Sequence, residues 1–492
     1  MMRISGLSSG LNIDEMVEKL MSARKAPLNK LNQQKQLTEW KREEYRNVST
    51  KLVSFNTKIT DTFSRTQNID SKKANITGAT GVVTATATGE AADSVLNIEV
   101  KNLASATSVV YKGAAGASKM SDLYSGSETS VKIGDATIEF TADDTIDSFV
   151  KKINSNKATG VTAVYDAASG SLSLTNKETG NKAIALEGAL FTGNTGFTTT
   201  GPKAGKDATV IINGLETTQS SNRFTINGVE LTLTGVSPSG QSTQVEISKD
   251  IDSVVNNIKA FVESYNETLA LLNGKSNEER YRKYLPLSTE QREAMKESEI
   301  ELWDSKAKSG MLKNDTILNK AISEMRLAMT SDVTLPNGEK INLAQFGITT
   351  GAYGEKGKLH IDEDKLRAAI ESDPEKLTAL FSQTDDTPGL TPTQKKNVTE
   401  KDGLFSRIRK INSGALDTLA EKAGTSKISA DITTAFLPQS QMGTQLDSFE
   451  RQITDWQSRL LRIENNYYKQ FTAMETAMNR YNSTSSSLSS FL

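Results

Sequence analysis

The feature that most constrains this chain is a long apolar stripe near its C-terminal end. Its members recur at steps of three and four residues, with one extra residue after Tyr467: Leu446, Phe449, Ile453, Trp456, Leu460, Ile463, Tyr467, Phe471, Met474, Met478 and Tyr481. This spacing predicts an α-helix with coiled-coil character, and the extra residue relaxes a left-handed supercoil locally. From residue 446 to 481 such a helix would span about 54 Å. It cannot bury its stripe alone, so it needs a partner helix.

The N-terminal segment is the obvious partner within the chain. Asn12, with Glu15 three residues later, predicts a capped helix start, and Pro27 predicts either a kink or the start of a second helix. Further along, heptad spacing is found at Tyr45, Val48, Leu52, Phe55 and Ile59. Two interpretations remain open: a helical hairpin that closes one chain, or stripes that also face other copies.

The middle of the chain has the pattern of β-strands. Between about residues 74 and 250 it is rich in Thr, Ala, Gly, Ser and Val, and segments such as VLNIEVKNL alternate with a period of two. Asn213-Gly214 and Asn227-Gly228 predict tight hairpin turns. One helix interrupts this pattern, and we expect Asp144 to cap it.

Helical periodicity returns after residue 249, so the layout predicts an α+β multidomain protein with β-rich domains inserted into a helical chain. We expect a terminal α-helical coiled coil from residues 1–44 and 448–492, a helical-bundle leg domain from residues 45–73 and 251–447, a β-rich head domain from residues 74–112 and 204–250, and a second inserted β-rich head domain from residues 113–203.

Composition excludes several classes of function. The chain has no cysteine and one histidine, and 58 basic residues against 60 acidic ones leave a net charge of -2, without the basic footprint of a nucleic-acid binder. No apolar run approaches the ~20 residues of a membrane helix, and the N-terminus lacks the apolar core of a cleavable signal peptide. We therefore expect no nucleic acid and no membrane insertion, and export by another route if the protein is secreted.

No segment predicts an active site. Asp362-Glu363-Asp364 beside His360 could be metal ligands, but a helix cap with first-turn carboxylates is the simpler interpretation. The glycine-rich segments lack the GK[ST] of a phosphate-binding loop. We therefore expect no enzymatic activity, no cofactor and no metal.

Several segments resemble one family in its own order. ISGLSSGLNIDEMVEKLMSARKAPLNKL, from Ile4 to Leu31, resembles the N-terminal signature of the flagellar filament-capping proteins, the hook-associated protein 2 family. TIDSFVKKINSNKATGVTAVYDAASGSLSLTNKETG is similar to the flagellin-type hook IN motif, and DATVIINGLETTQSSNRFTINGVELTL to the start of the family's C-terminal region. The segment from Tyr284 to Arg326 resembles one typical of the cap and not of flagellin.

The resemblance implies a non-enzymatic cap at the distal tip of the bacterial flagellar filament. It implies a ring homo-oligomer, commonly of five subunits, that promotes the folding and incorporation of exported flagellin. It also implies an export chaperone before secretion, hook-associated proteins as neighbours at the growing tip, and an extracellular location reached through the flagellar type III system. The alternatives are an adhesin that uses its exposed head domains and another hook-associated junction protein.

Two sets of residues follow from these hypotheses. The seam set, expected to line the coiled coil or the contact between copies, is Leu52, Phe55, Ile59, Leu446, Ile453, Trp456, Leu460, Ile463 and Tyr467. The filament set, expected to contact filament subunits, is Ile13, Val17, Leu20, Phe471, Met474 and Met478. Each residue could instead belong to the core of a single chain.

Overall fold

The structure, a computed structural model, describes residues 12–192 and 196–489. The helices are α1 (Ile13–Lys58), α2 (Thr66–Ile69), α3 (Met120–Leu123), α4 (Ile146–Ser155), α5 (Ala189–Thr192), α6 (Ile251–Asn277), α7 (Thr289–Glu293), α8 (Glu297–Lys308), α9 (Thr316–Thr330), α10 (Glu363–Ser372), α11 (Pro374–Ser382), α12 (Pro392–Lys395), α13 (Leu404–Ala423) and α14 (Gln441–Ser489). The α+β multidomain fold expected from the sequence is confirmed.

The strands lie mainly in the middle of the chain. They are β1 (Lys72–Gly78), β2 (Val83–Ala87), β3 (Ser94–Asn102), β4 (Ser108–Lys112), β5 (Ser130–Ile133), β6 (Ala136–Glu139), β7 (Val161–Asp166), β8 (Ser171–Asn176), β9 (Leu186–Glu187), β10 (Thr198–Lys203), β11 (Ala208–Ile212), β12 (Leu215–Gln219), β13 (Arg223–Ile226), β14 (Val229–Leu233), β15 (Thr243–Lys249), β16 (Val333–Thr334), β17 (Lys340–Ile341), β18 (Ile348–Thr350) and β19 (Leu359–Ile361).

The chain separates into two compact units. The helical unit holds the described residues up to Arg65 and those from Val255 onward, and the β-rich unit holds Thr66–Val254. The chain therefore leaves a helical body, builds the β-rich unit and returns, as the sequence pattern predicted.

Helix α1 begins where the sequence predicts and is longer than expected. The Asn12 side chain accepts a hydrogen bond from the Glu15 backbone N–H at 3.1 Å, which confirms the cap. Pro27 lies inside the helix without ending it, so the second helix considered at Pro27 does not form. Because α1 is continuous and α14 begins at Gln441, the coiled-coil boundaries predicted at residues 44 and 448 are wrong: both fall inside helices. The parts of the predicted coiled coil at residues 1–11 and 490–492 lie outside the described residues.

An aromatic cluster forms the centre of the helical unit. The Phe261 ring of α6 lies 5.9 Å from the ring of Phe55 and 5.8 Å from that of Phe63, measured between centroids. Phe381 and Phe405 complete the cluster, with centroids 5.8 and 5.0 Å from that of Phe261. These separations suit tilted and edge-to-face packing, so α1, α6, α11 and α13 share one core.

The first β-rich domain has two antiparallel sheets whose buried residues share one core. One has the strand order β1-β15-β3-β11-β12 and the other β13-β14-β2. Asn213 and Asn227 both have a φ of +49° in the turns β11–β12 and β13–β14, which confirms the two predicted hairpins.

The second β-rich domain packs α4 against strands in the order β10-β4-β8-β7, and the sheet β6-β5-β9 joins the same core. Strand β4 corrects the predicted boundary at residue 113. Its Val109 and Tyr111 are buried in this second core, so the insert begins before Ser108. The expected cap of α4 is also wrong by one residue: Thr145 accepts the Ser148 N–H at 3.1 Å, while Asp144 accepts the Thr141 N–H.

Candidate assembly surface of the terminal helices

Helices α1 and α14 run antiparallel, and three contacts define their register. The Tyr468 hydroxyl donates to Asp14 Oδ1 at 2.8 Å, Lys35 Nζ lies 3.0 Å from Glu450, and Arg42 approaches Ser440 just before α14 begins. The hydrogen bond with Glu450 is the main cause that raises the pKa of Lys35. Residues 14–42 of α1 therefore lie alongside the N-terminal three-fifths of α14. We call this arrangement the helix pair.

A small apolar cluster lies in the half of the helix pair that is farther along α1 from the aromatic cluster. We call this half distal and the other half proximal, and we call the cluster the distal cluster. Ile13, Val17 and Met21 of α1 are buried against Leu460 of α14. Packed on this cluster are the half-buried side chains of Leu28, Ile463, Tyr467, Tyr468 and Phe471. Residues from the seam set and the filament set are thus brought together within one chain, as the helical-hairpin interpretation requires.

The stripe of α14 becomes exposed toward its C-terminal end. Leu460 is 6% exposed, Met474 is 37% exposed and Tyr481 is 77% exposed. Of the other filament-set residues, Leu20 is exposed and Met478 is half-buried. The first part of the stripe is therefore used within the chain, whereas the last part presents apolar surface to solvent.

Three seam-set residues lie elsewhere. Leu52, Phe55 and Ile59 are buried inside the helical unit, where Phe55 contacts the aromatic cluster, and do not oppose the stripe of α14. The reason is the antiparallel register: α14 starts beside Arg42, and Leu52 lies ~15 Å further along α1 at about 1.5 Å per residue. The predicted pairing of these residues with α14 is therefore corrected.

The remaining seam-set residues, Leu446, Ile453 and Trp456, are half-buried on α14. Leu446 shares the lining of a 590 Å³ cavity with Trp40 of α1 and Phe436. The proximal half of the helix pair is thus more loosely covered than the distal cluster.

Arg42 and Arg46, at the proximal end of the helix pair, contact the loop that precedes α14. Arg42 donates from Nε to the Ala423 carbonyl at 2.7 Å and from Nη2 to the Leu437 carbonyl at 3.1 Å. The guanidinium carbons of Arg42 and Arg46 lie 4.1 and 3.7 Å from the centroid of the Phe436 ring. The sequence analysis missed this contact, because nothing local pairs Arg42 with a residue almost 400 positions away.

A buried polar network joins α1, α9 and α13. The Tyr45 hydroxyl donates to Asp315 Oδ2 at 2.6 Å, and Lys422 Nζ lies 3.4 Å from the same oxygen. Asp315 Oδ1 accepts from the N–H groups of Ile317 and Leu318 and so caps α9. Burial raises the pKa of Asp315, but Tyr45, Lys422 and these N–H groups outweigh it and lower the pKa below its usual value. Burial, followed by Asp315, raises the pKa of Tyr45, which keeps its hydroxyl a donor.

The acidic cluster near His360 has a structural explanation. Asp362 accepts the Lys365 N–H at 3.2 Å and caps α10, as the sequence predicted. His360 Nε2 lies 2.5 Å from Glu355. Across residues 12–192 and 196–489, no group of three or more His, Asp or Glu side chains is arranged to hold a metal ion. Within those same ranges, none of the helices combines the length and apolar character needed to cross a bilayer.

Comparison with known families covers most of the chain. Residues 205–483 match the model described as Flagellar hook-associated protein 2 C-terminus, and residues 9–107 match that of its N-terminus. Residues 124–178 match the Flagellin hook IN motif. Matches at both ends and in the middle define a structural protein of the flagellum.

Individual relatives agree. Flagellar hook-associated protein 2 of Halalkalibacterium halodurans is 30% identical over 100% of this chain and 99% of its own length. The Escherichia coli K12 protein of the same name is 25% identical over 98% of this chain and 96% of its own. The D1-D2-D3 domains of the flagellar cap protein FliD from Escherichia coli share the fold, with a TM-score of 0.56 at 20% identity, over 83% of this chain and 99% of that one. The chain belongs to the flagellar hook-associated protein 2 family, which confirms the resemblance found in the sequence.

Proposed function

We propose that this chain caps the distal tip of the bacterial flagellar filament, where it promotes the folding and incorporation of exported flagellin. Membership of the hook-associated protein 2 family supports this role, and a relative of the same fold is a flagellar cap protein. One observation in the structure carries the proposal to particular residues: the stripe of α14 passes from 6% exposed at Leu460 to 77% exposed at Tyr481.

The exposed end of the stripe is where filament subunits would bind. Met474 and Tyr481 continue the face that Leu460 and Tyr467 use toward α1, because seven residues return a helix to nearly the same face. An amphipathic helix from another chain can cover such a face with its own apolar residues. We therefore keep Leu20, Met474 and Met478 as filament contacts and reassign Ile13, Val17 and Phe471 to the helix pair.

The partners follow from the same role. The chain would assemble as a ring of copies, a pentamer in our proposal, in contact with flagellin and with hook-associated proteins at the growing tip. It would meet an export chaperone before secretion and reach the extracellular tip through the flagellar type III system. The role is structural and needs neither catalysis nor a cofactor. No observation favours an adhesin, and the family match separates the chain from a junction subunit.

Substitution of the exposed stripe tests the proposal. In cells whose only cap protein is this chain, we expect the double variant Met474→Gln/Tyr481→Ser to release unassembled flagellin and to grow short filaments. The matched control is Leu461→Gln, because Leu461 is 59% exposed but lies about 120° away from the stripe, at 100° per residue. Filament length by electron microscopy and free flagellin in the medium are the readouts. Growth equal to that of Leu461→Gln would contradict the proposal.

Native mass spectrometry tests the ring. Full-length protein should give discrete closed oligomers of about four to six subunits or their doubles, and lack of any oligomer both in solution and on filament ends would refute a ring-forming cap.

A further inference from the structure

A pocket with an excess of positive charge lies where the helix pair meets the rest of the helical unit. Its volume is about 350 Å³, within the range of small-ligand sites. Lys41 of α1, Arg280 and Lys422 of α13 contribute cationic side chains to its walls, and none of the residues described in its lining is acidic. This pocket belongs neither to the stripe nor to the distal cluster.

Asp315, the carboxylate that pairs with Lys422, already has both oxygens in contacts within the chain. Asp315 accepts hydrogen bonds from Tyr45 and from two backbone N–H groups of α9, and its side chain is only 5% exposed. Lys422 is paired with it at 3.4 Å. Lys41 Nζ lies 5.7 Å from the centroid of the Tyr45 ring, but neither Lys41 nor Arg280 has a carboxylate partner among the ion pairs of the described residues.

These two charges are held in partly buried positions. Arg280 Nη1 is fixed by the carbonyls of Ala307 and Ser309, at 2.6 and 2.9 Å. Burial is the main cause that lowers the pKa of Lys41, with Lys422 adding to it and Asp315 opposing it. Burial also lowers the pKa of Arg280. An anion entering the pocket would remove an unfavourable arrangement of like charges, which is the physical basis for binding.

The walls also indicate what kind of anion fits. Leu37, Met311 and Met442 supply apolar surface beside the cations, which suits a carboxylate carried on a hydrocarbon stem. The lining described for this pocket offers no aromatic ring on which a nucleobase would stack. We propose that the pocket binds the side-chain carboxylate of an acidic peptide segment from a partner protein. This inference goes beyond the cap function and does not depend on it.

Methionine methyl signals provide a direct test. In full-length protein labelled with ¹³C at its methionine methyl groups, Met311→Leu and Met442→Leu variants identify the two pocket signals. The probes are the peptides acetyl-Leu-Glu-Leu-amide and acetyl-Leu-Gln-Leu-amide and, separately, inorganic phosphate, all at constant ionic strength. The glutamate peptide should shift both pocket signals, and the glutamine peptide should not. Equal shifts with both peptides, or binding of phosphate alone, would overturn the proposal.

Two variants locate the binding in this pocket. Lys41→Gln should weaken binding of the glutamate peptide about tenfold, or ~1.4 kcal/mol. The control is Lys30→Gln, an exposed lysine three turns earlier in α1, which should bind like the parent. Gln445→Glu places a carboxylate beside the cations, so it should raise the unfolding temperature and block the peptide. Because this variant is expected to be more stable, it remains informative if Lys41→Gln does not fold. Peptide affinity unchanged in Gln445→Glu would refute the proposed site.

Discussion

Replacing Tyr45 by Phe isolates the buried hydrogen bond that ties α1 to α9. Tyr45 is fully buried and donates to Asp315, whose other contacts persist in the variant. A hydrogen bond to a charged group contributes about 1.5–3 kcal/mol. We therefore expect Tyr45→Phe to lower the free energy of unfolding of the helical unit by about that amount, since the phenyl ring itself is retained.

The assay can observe the helical unit alone. The three tryptophans of the chain, Trp40, Trp303 and Trp456, all lie outside Thr66–Val254, so their fluorescence in a urea titration reports only the helical unit. Tyr353→Phe is the control, because Tyr353 is 96% exposed in the same unit. Equal midpoints for the two variants would refute the assigned role of the Tyr45 hydroxyl.

The pH dependence gives a second check. The folded-state pKa of Asp315 lies below its usual value of about 3.9, so the ionised form stabilises the fold above that pH. This contribution is lost as the pH falls through the folded-state pKa. Because the Tyr45 hydroxyl helps to lower the pKa, the stability difference between parent and Tyr45→Phe should narrow in acid. A difference that widens as the pH falls would contradict this explanation.

Two further predictions concern core packing and turns. Phe55→Ala should lower the free energy of unfolding of the helical unit by about 3–5 kcal/mol at every protein concentration, because Phe55 is buried in the core of one chain. Leu446→Ala, at a half-buried site, should cost about 1 kcal/mol. If urea titrations showed a destabilisation by Phe55→Ala that depends on protein concentration, Phe55 would instead lie between copies. Gly214→Ala should cost about 1 kcal/mol because its φ is +85°. Gly228→Ala should cost more, since its new Cβ would also lie 2.8 Å from the Cα of Ala91. Hydrogen exchange of the two hairpins measures both, and equal protection would show that the close contact is relieved.

The parts of the fold that the sequence predicted are those with local causes. The cap at Asn12 is read from a residue and its neighbour three positions away, and the hairpins from adjacent Asn-Gly pairs. The α4 cap shows the limit of such reasoning. Asp144 and Thr145 are both good capping residues, and only the burial of Ile146, Phe149 and the rest of that face decides which of them begins the helix.

The parts that the sequence could not predict depend on register. Heptad spacing identifies an apolar face but does not say which part of α1 lies opposite α14. The prediction that pairs Leu52, Phe55 and Ile59 with α14 is wrong for this reason. The same limit applies to β4. Its period-two alternation predicts a strand but does not say which of the two β-rich domains the strand joins. The stacking of Arg42 and Arg46 on Phe436 could not be predicted from the sequence, because only the register of α1 against α14 brings these arginines to the loop that precedes α14.

The continuity of α1 has a mechanical consequence. One uninterrupted helix, about 69 Å long at ~1.5 Å per residue, begins in the distal cluster and ends in the aromatic core. Because no loop separates the distal cluster from the aromatic core, a force applied at the distal end of α1 is transmitted along the helix axis into that core. Pro27 is the point of least stiffness, because it cannot donate to the carbonyl of Ala23 four residues earlier. Bending of α1 under such a force should therefore concentrate near Pro27, about one third of the way along the helix and well before the aromatic core.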